Sequence, residues 1–368
     1  MNNSGAVMVR SRLWRVLLIL MAAAVVLAGG RCLYAFRDRH PGYSININFD
    51  GASSTANPRQ FRAGFARTKI TPDISNPKRR VWLAGFSQNR AATSVHDDLW
   101  AIGAVLDDGY ARLGIVALDA IGLFHDDVIE IRRRLPGELE LAHTLICTTH
   151  NHSTPDLMGL WGPSPFRTGV DPGYRKLVLD AVIKVLTEAA AKLEPVRVAF
   201  HEIGVPPEGL VTDTRRPIVF DPDLRVAHFK SAENGKTVGT IVTWANHPET
   251  VWGKNTEITA DFCGYLRDAL EHGVRVNGQT HAHGLGGTHM YINGAIGGLI
   301  TTSPSVSVHD PYLGQTFREP SHEKARAVAY QLASRLLPVL SDTNKPSFSH
   351  APISIRARTV LAVSYTHL

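Results

Sequence analysis

Apolar positions along this chain fall into two rhythms. Short stretches that alternate, or run almost continuously apolar, have the pattern of strands buried on one or both faces. They are "RAGFARTKITP" (Arg62 to Pro72), "LWAIGAVLDDG", "ARLGIVALDAIGL", "HTLICTTH", "VRVAFHEIGV", "LRVAHFK", "TVGTIVTWANH" and "MYINGAIGG". Asp107-Asp108-Gly109 between the second and third predicts a hairpin turn. Other stretches repeat at helical spacing. "HDDVIEIRRRL" sets Val128, Ile131 and Leu135 on one stripe, and in residues 173–193 Leu177, Ala181, Val182, Val185 and Leu186 recur until Pro195 stops the pattern. "DFCGYLRDALEHGV" and "EKARAVAYQLASRLLPVL" predict two more helices. Strands alternating with helices predict an α/β fold, a mixed β-sheet core flanked by helices in a single large domain. No internal repeat is legible.

The N-terminus has a different character. Arg10, Arg12 and Arg15 precede an apolar run from Val16 to Gly30, with small residues at Ala28 and Gly30: the layout of an export signal. The run is shorter than the roughly 20 residues of a membrane span, and Arg31 interrupts its extension. Residues 1–36 are therefore read as a signal peptide or a signal anchor, placing the body outside the cytoplasm, membrane-anchored or secreted/periplasmic. Cys32 suggests a lipoprotein, but Arg31 stands where a small residue is expected. Residues 37–60, rich in Ser, Asn, Gly and Pro, are read as a linker dispensable for folding, and 61–368 as the folded domain. At the far end the strand-like "PISIRARTV" runs into "LAVSYTHL", which predicts a strand whose partners lie outside the chain and a domain incomplete at its C-terminus.

Composition narrows the class. At 368 residues, 44% apolar and 20% charged, the chain can bury a sizeable core. Its net charge of +6 is scattered, with clusters only at Lys78–Arg80 and Arg132–Arg134 and no basic stripe interleaved with aromatics, so nucleic acid is not an expected partner. Three cysteines, Cys32, Cys147 and Cys263, make no disulfide framework and no cysteine zinc site; Cys147 and Cys263 are expected as buried thiols.

The candidate chemistry sits at strand ends. "THNHSTPD" follows the strand "HTLICTTH", and on an extended backbone residues i and i+2 point to one side, so His150 and His152 would offer two imidazoles to one point. "TWANHPETV" brings His247 out of another strand, again with proline next. Ligands gather at the strand-end rim of α/β sheets. Asp119 ends "LGIVALD"; Asp261 in "TADFCG" is a rim residue or a helix N-cap. His281 and His283 read as loop residues beside His289. Gly294 to Gly298 form a glycine-dense turn, with no P-loop, dinucleotide fingerprint or nucleophile elbow.

In this order, "GFARTKITP", "HDDLWAIGAVLDDG", "VALDAIG", "TTHNHSTPD", "ANHPETV", "TADFCGYLRDALE" and "NGAIGG" resemble the N-terminal catalytic domain of the neutral/alkaline non-lysosomal ceramidase family over roughly residues 62–340. The resemblance implies Zn2+ as cofactor, His150 and His247 as metal ligands, His152 as the histidine acting at the substrate, and Arg215 (or its neighbour Arg216) as the active-site arginine. It implies two further ligands, a glutamate and a tyrosine, downstream of this chain. The family's glycine-aspartate-x-serine-proline segment falls on residues 297–302, where neither aspartate nor serine occurs; Thr301 or Thr302 would have to substitute. The expected function is zinc-dependent hydrolysis of a small-molecule or lipid amide by metal-activated water, beside a membrane if the N-terminal segment anchors the chain. The alternatives are an ester, lactone or cell-wall amide hydrolase on the same scaffold, and a surface-anchored binding domain with a degenerate site.

Overall fold

The computed structural model describes residues 4–76, 79–297 and 299–360; residues 1–3, Pro77, Lys78, Gly298 and the final 361–368 stretch lie outside the described residues. The chain divides into two units, Met1–Ile45 and Asn46–Leu368. In the first, a helix runs from Ser4 to Phe36 through Arg31, and its Trp14–Tyr34 portion, 21 residues at mean hydropathy 2.4, is long and apolar enough to cross a membrane. Such a helix serves equally as a signal or an anchor.

The second unit is an α/β body built on one eight-stranded mixed sheet. In chain order its strands are β1 (Arg62–Lys69), β2 (Trp100–Asp107), β3 (Arg112–Leu118), β4 (Leu141–Thr148), β5 (Glu194–Gly204), β6 (Asp223–Ser231), β7 (Thr237–Trp244) and β8 (Thr288–Asn293). Its four helices of ten residues or more among the described residues are α1 (His125–Arg134), α2 (Pro172–Ala191), α3 (Asp261–His272) and α4 (His322–Ser341). Lateral order across the sheet is β8-β7-β6-β5-β1-β2-β3-β4. Neighbours are antiparallel except at the two edges, where β3 runs parallel to β4 and β7 parallel to β8.

This order exposes a duplication that the sequence hides. β1-β2-β3-α1-β4-α2 and β5-β6-β7-α3-β8-α4 are the same topology twice: a three-strand meander, a helical crossover, a parallel edge strand and a closing helix. The halves join where Arg62 and Ala63 pair with Pro195 and Glu194. No repeat is legible because the shared requirement is only an apolar pattern, which many residue choices satisfy.

The sheet folds back on itself. One core, with Phe61, Phe65, Ile115, Val198, Phe229 and Met290, fills the space between its halves. A second, with Val105, Val116, Val178, Val182 and Leu186, lies under α2, and a third, with Trp244, Phe262, Leu266, Leu332 and Leu336, lies under α3 and α4. Folding brings edge to edge: the Asn293 amide at the end of β8 donates to Thr149 O, just past β4 (2.8 Å).

Local signals explain the boundaries. The Asp107-Asp108-Gly109 turn forms as expected: Gly109 takes φ 81°, and Asp107 Oδ1 accepts its N–H at 2.7 Å. Asp171 caps α2 and Ser321 caps α4 through their side chains. The strand expected to be buried, β4, is instead an edge strand with Leu145 44% exposed and Cys147 half-buried, since among the described residues nothing pairs with its outer side. Cys263 is buried and Cys32 exposed.

Part of the stretch read as linker is folded. Asn46–Phe49 pairs antiparallel with Ile355–Arg358, and Ile47 and Phe49 pack against the inner core. The C-terminal strand therefore has its partner within the chain. Alternating "SININF" carries the strand signal that the surrounding Ser and Asn obscured.

Candidate metal centre

Three histidines meet at the rim where the halves close: a ring nitrogen of each of His150, His152 and His247 lies within 4.8 Å of the other two. Their rings stand edge to face, with centroids 5.0 Å apart for His150–His247, 5.1 Å for His150–His152 and 5.6 Å for His152–His247. The sequence argument for His150 and His152, extended-strand alternation, is not how they converge. β4 ends at Thr148, and His150 adopts φ 62°, a left-handed conformation costly for a residue with a Cβ. The chain turns there, and the turn aims both rings inward.

Each outer histidine is held in one tautomer. His150 Nδ1 lies 2.8 Å from Ile121 O and His247 Nδ1 lies 2.7 Å from Ile300 O. A carbonyl only accepts, so both Nδ1 atoms carry the proton and both Nε2 atoms keep a lone pair. This is the outer-shell arrangement that orients metal-binding imidazoles. Burial comes first in lowering both pKa values, His150 to about 4, so both rings are neutral donors at pH 7. The ligand set and its orientation fit a borderline divalent cation such as Zn2+.

His152 is placed differently. Glu249 Oε2 lies 2.8 Å from its Nδ1, an ion-pair distance, but neither buried ring nitrogen makes a well-aligned hydrogen bond among the described residues. Burial pushes the Glu249 carboxyl up, but His152, the Thr301 hydroxyl and His247 together hold it below the usual range. Gly85, at φ 103°, lies flat beneath the ring: a Cβ there would come within 2.4 Å of His152 Cγ. Phe86 covers another side edge-on at 5.1 Å, and the buried Arg90 donates to the His152 and Ala84 carbonyls.

The loops are clasped by buried amides. Asn293 Nδ2 donates to Thr149 O (2.8 Å) and Asn246 O (2.9 Å), the residues immediately before His150 and His247. Asn151 Nδ2 donates to Thr259 O, and its Oδ1 accepts Ser153 N–H. Asp156 Oδ1 accepts the N–H groups of Met158 and Gly159, turning the chain after the loop.

Other candidates lie elsewhere. Arg215 is exposed in the loop after Asp213, with its N–H on Asp213 Oδ1 (2.9 Å); among the described residues no contact joins its side chain to the histidines. Asp213 pairs with Ile300, whose carbonyl holds His247, so Arg215 stands two residues beyond the strand pair that flanks the cluster. Asp119 does not face the cluster: it forms a buried two-pronged ion pair with Arg267 of α3 (2.9 and 2.6 Å). Asp261 is not the N-cap of α3, a place taken by Ala260, but its first residue; its buried carboxylate accepts the N–H groups of Phe262 and Val251. Thr302 is structural, donating to Leu210 O, whereas Thr301 lies beside Glu249. His281 and His283 lie on the exposed strand Gln279–His283, and His289 is buried in β8 against Thr240.

Sequence reasoning missed Glu249 and Asn293. The signal for Glu249 was its position two residues after His247; for Asn293, a lone polar residue closing an apolar strand.

No family model and no curated relative matches this chain. Solved structures do. The crystal structure of neutral ceramidase from Pseudomonas aeruginosa superposes with a TM-score of 0.63 at 18% identity, covering 78% of this chain and 45% of that one. A ceramidase complexed with C2 gives 0.62 at 17%, covering 78% and 44%. The chain therefore shares the fold of these neutral ceramidases, as its motifs implied, and spans less than half their length.

Proposed function

We propose that the chain is a zinc-dependent hydrolase of the neutral ceramidase type, cleaving a lipid or small-molecule amide. The observation that carries this is the pair of carbonyl-locked imidazoles, His150 and His247, delivered from opposite halves of the sheet to one point. The fold shared with neutral ceramidases supports the substrate class.

His150 and His247 are assigned to the ion. Zinc supplies a Lewis acid for the scissile carbonyl and an acidified water. His152 is assigned to the proton. Glu249, at ion-pair distance from Nδ1, is assigned to draw the His152 proton to that side, leaving Nε2 to take a proton from the attacking water and return it to the departing amine. Gly85 and Phe86 fix that ring. Arg215 is assigned to the substrate and not to the ion, reaching from its exposed loop. An N-terminal helix acting as signal or anchor would deliver the enzyme to an extracytoplasmic lipid surface.

The test is hydrolysis by the zinc-loaded full chain against a panel of N-acyl amides, esters, lactones and cell-wall amides. The expected result is zinc-dependent amide cleavage, with His152→Ala reducing kcat at least about 100-fold while zinc stays bound. Cleavage of esters or cell-wall amides in preference to N-acyl amides reassigns the substrate. No turnover on any class leaves a binding domain and overturns the reading. Loss of zinc in His152→Ala makes His152 a third ligand.

A further inference from the structure

A second cluster of metal-binding groups lies outside this centre. His96 sits in the link between Ser94–Val95 and β2. Glu257 begins the short strand that pairs parallel with Ser94–Val95, and His322 is the first residue of α4. One donor atom of each lies within 4.8 Å of the other two. His322 Nε2 and Glu257 Oε2 are 2.9 Å apart, and the rings of His96 and His322 stack with centroids 3.5 Å apart and planes 10° from parallel.

Three features mark this as more than a surface hydrogen bond. His322 Nδ1 is buried with no hydrogen-bond partner among the described residues, an unusual state for an imidazole nitrogen. The Ser94 hydroxyl donates to Glu257 Oε1 (2.8 Å), which leaves Oε2 turned toward His322. Tyr265 OH lies 2.8 Å from His96 Nε2, a polar neighbour beside the third donor. A cavity of about 500 Å3 lined by Trp252, Lys254, Asn255, Glu257, Glu319 and His322 gives an ion a way in.

We propose that His96, Glu257 and His322 form a second divalent-cation site, with two imidazoles and one carboxylate suited to Zn2+ or Ni2+. Donors around such an ion stand roughly 3–3.4 Å apart, so separations of up to 4.8 Å close by less than about 2 Å. Stacked rings cannot both point at an ion in their own planes; one must swing about χ2. The His96 side chain, 35% exposed, has room to do so. The ion's role is structural. Asn255 Nδ2 bonds both Glu257 O and Ser153 Oγ, and Thr259 N–H bonds Ser153 O, so an ion on Glu257 braces the loop that carries His150 and His152.

The experiment uses the full chain, stripped with chelator and dialysed against Zn2+ or Ni2+ alone, with metal content and thermal unfolding as readouts. The His150→Ala/His247→Ala double variant should still bind one ion per chain and melt at higher temperature with it. Adding His322→Ala should remove both effects, and His96→Gln should weaken binding at least about tenfold. In the otherwise unchanged chain, His322→Ala should lower the metal content by one. A double variant that binds no stoichiometric ion overturns the site, as does binding that His322→Ala leaves intact. If only the first-centre assignment is wrong, the unchanged chain holds one ion that His322→Ala removes; if only this site is wrong, it holds one that His150→Ala removes.

Discussion

The first half of the fold, β1 to α2, and the second, β5 to α4, repeat one succession of elements yet carry different chemistry at their strand ends. In the first, the loop after β4 supplies His150, and the loop after β3 supplies the carbonyl of Ile121 that holds it. In the second the roles are exchanged: His247 follows β7, and Ile300, after β8, holds it. Each half therefore contributes one imidazole oriented from within itself. What differs is the remainder. The first half adds His152 on the same loop as His150; the second adds Glu249, Thr301 and the Asn293 clasp. A symmetric scaffold thus carries an asymmetric site, with zinc assigned to the matched pair and the proton to the unmatched His152.

The ion pair between Asp119 of the first half and Arg267 of the second tests whether the halves depend on each other. Both side chains are buried, so Asp119→Ala strands a guanidinium and should cost about 3–5 kcal/mol in urea unfolding, with the double variant Asp119→Ala/Arg267→Met recovering much of it. Equal loss in single and double variants would show that the pair does not couple the halves.

Gly85→Ala probes the unmatched histidine alone. The added Cβ cannot coexist with the His152 ring at 2.4 Å, so kcat should fall about 100-fold while zinc content holds. Unchanged kcat would separate His152 from the chemistry.

Asn293→Ala removes the amide that ties both ligand loops, and zinc affinity should fall about 10- to 100-fold by competition with a chelator. An unchanged affinity would mean that each loop holds its histidine unaided.

The smallest effect is expected with acid. Burial first lowers the pKa of His228 in β6 to about 3 and of His289 in β8 to about 4. Unfolding lets both take up protons below the ordinary value of about 6.5, so their contribution is complete above that pH and is lost as pH falls toward 4. Both lie in the second half, whereas the first holds one histidine lowered as far, His150. Hydrogen exchange between pH 7 and 4.5 should therefore show β6 to β8 losing protection before β1 to β4. Uniform loss would contradict this.

Much of this was legible in the sequence, because strand and helix periodicity is local. The eight strands of the main sheet and the four long helices against it followed from it, as did the emergence of His150, His152 and His247 at strand ends. What was not legible depends on distance along the chain. Asn293 reaches a residue 144 positions away, and Asn46–Phe49 pairs with Ile355–Arg358 across nearly the whole chain. The duplication escaped notice because topology constrains only which positions are apolar. The reason for convergence was also misread: His150 leaves the extended conformation, which no residue pattern announced.

Zinc content of His150→Ala and His247→Ala, each made in a His322→Ala background so that only the first centre is counted, tests the central claim most directly. A single centre built by one histidine from each half predicts about one zinc per chain in the background and close to none in either variant, with circular dichroism unchanged. Retention of stoichiometric zinc by either variant would contradict it.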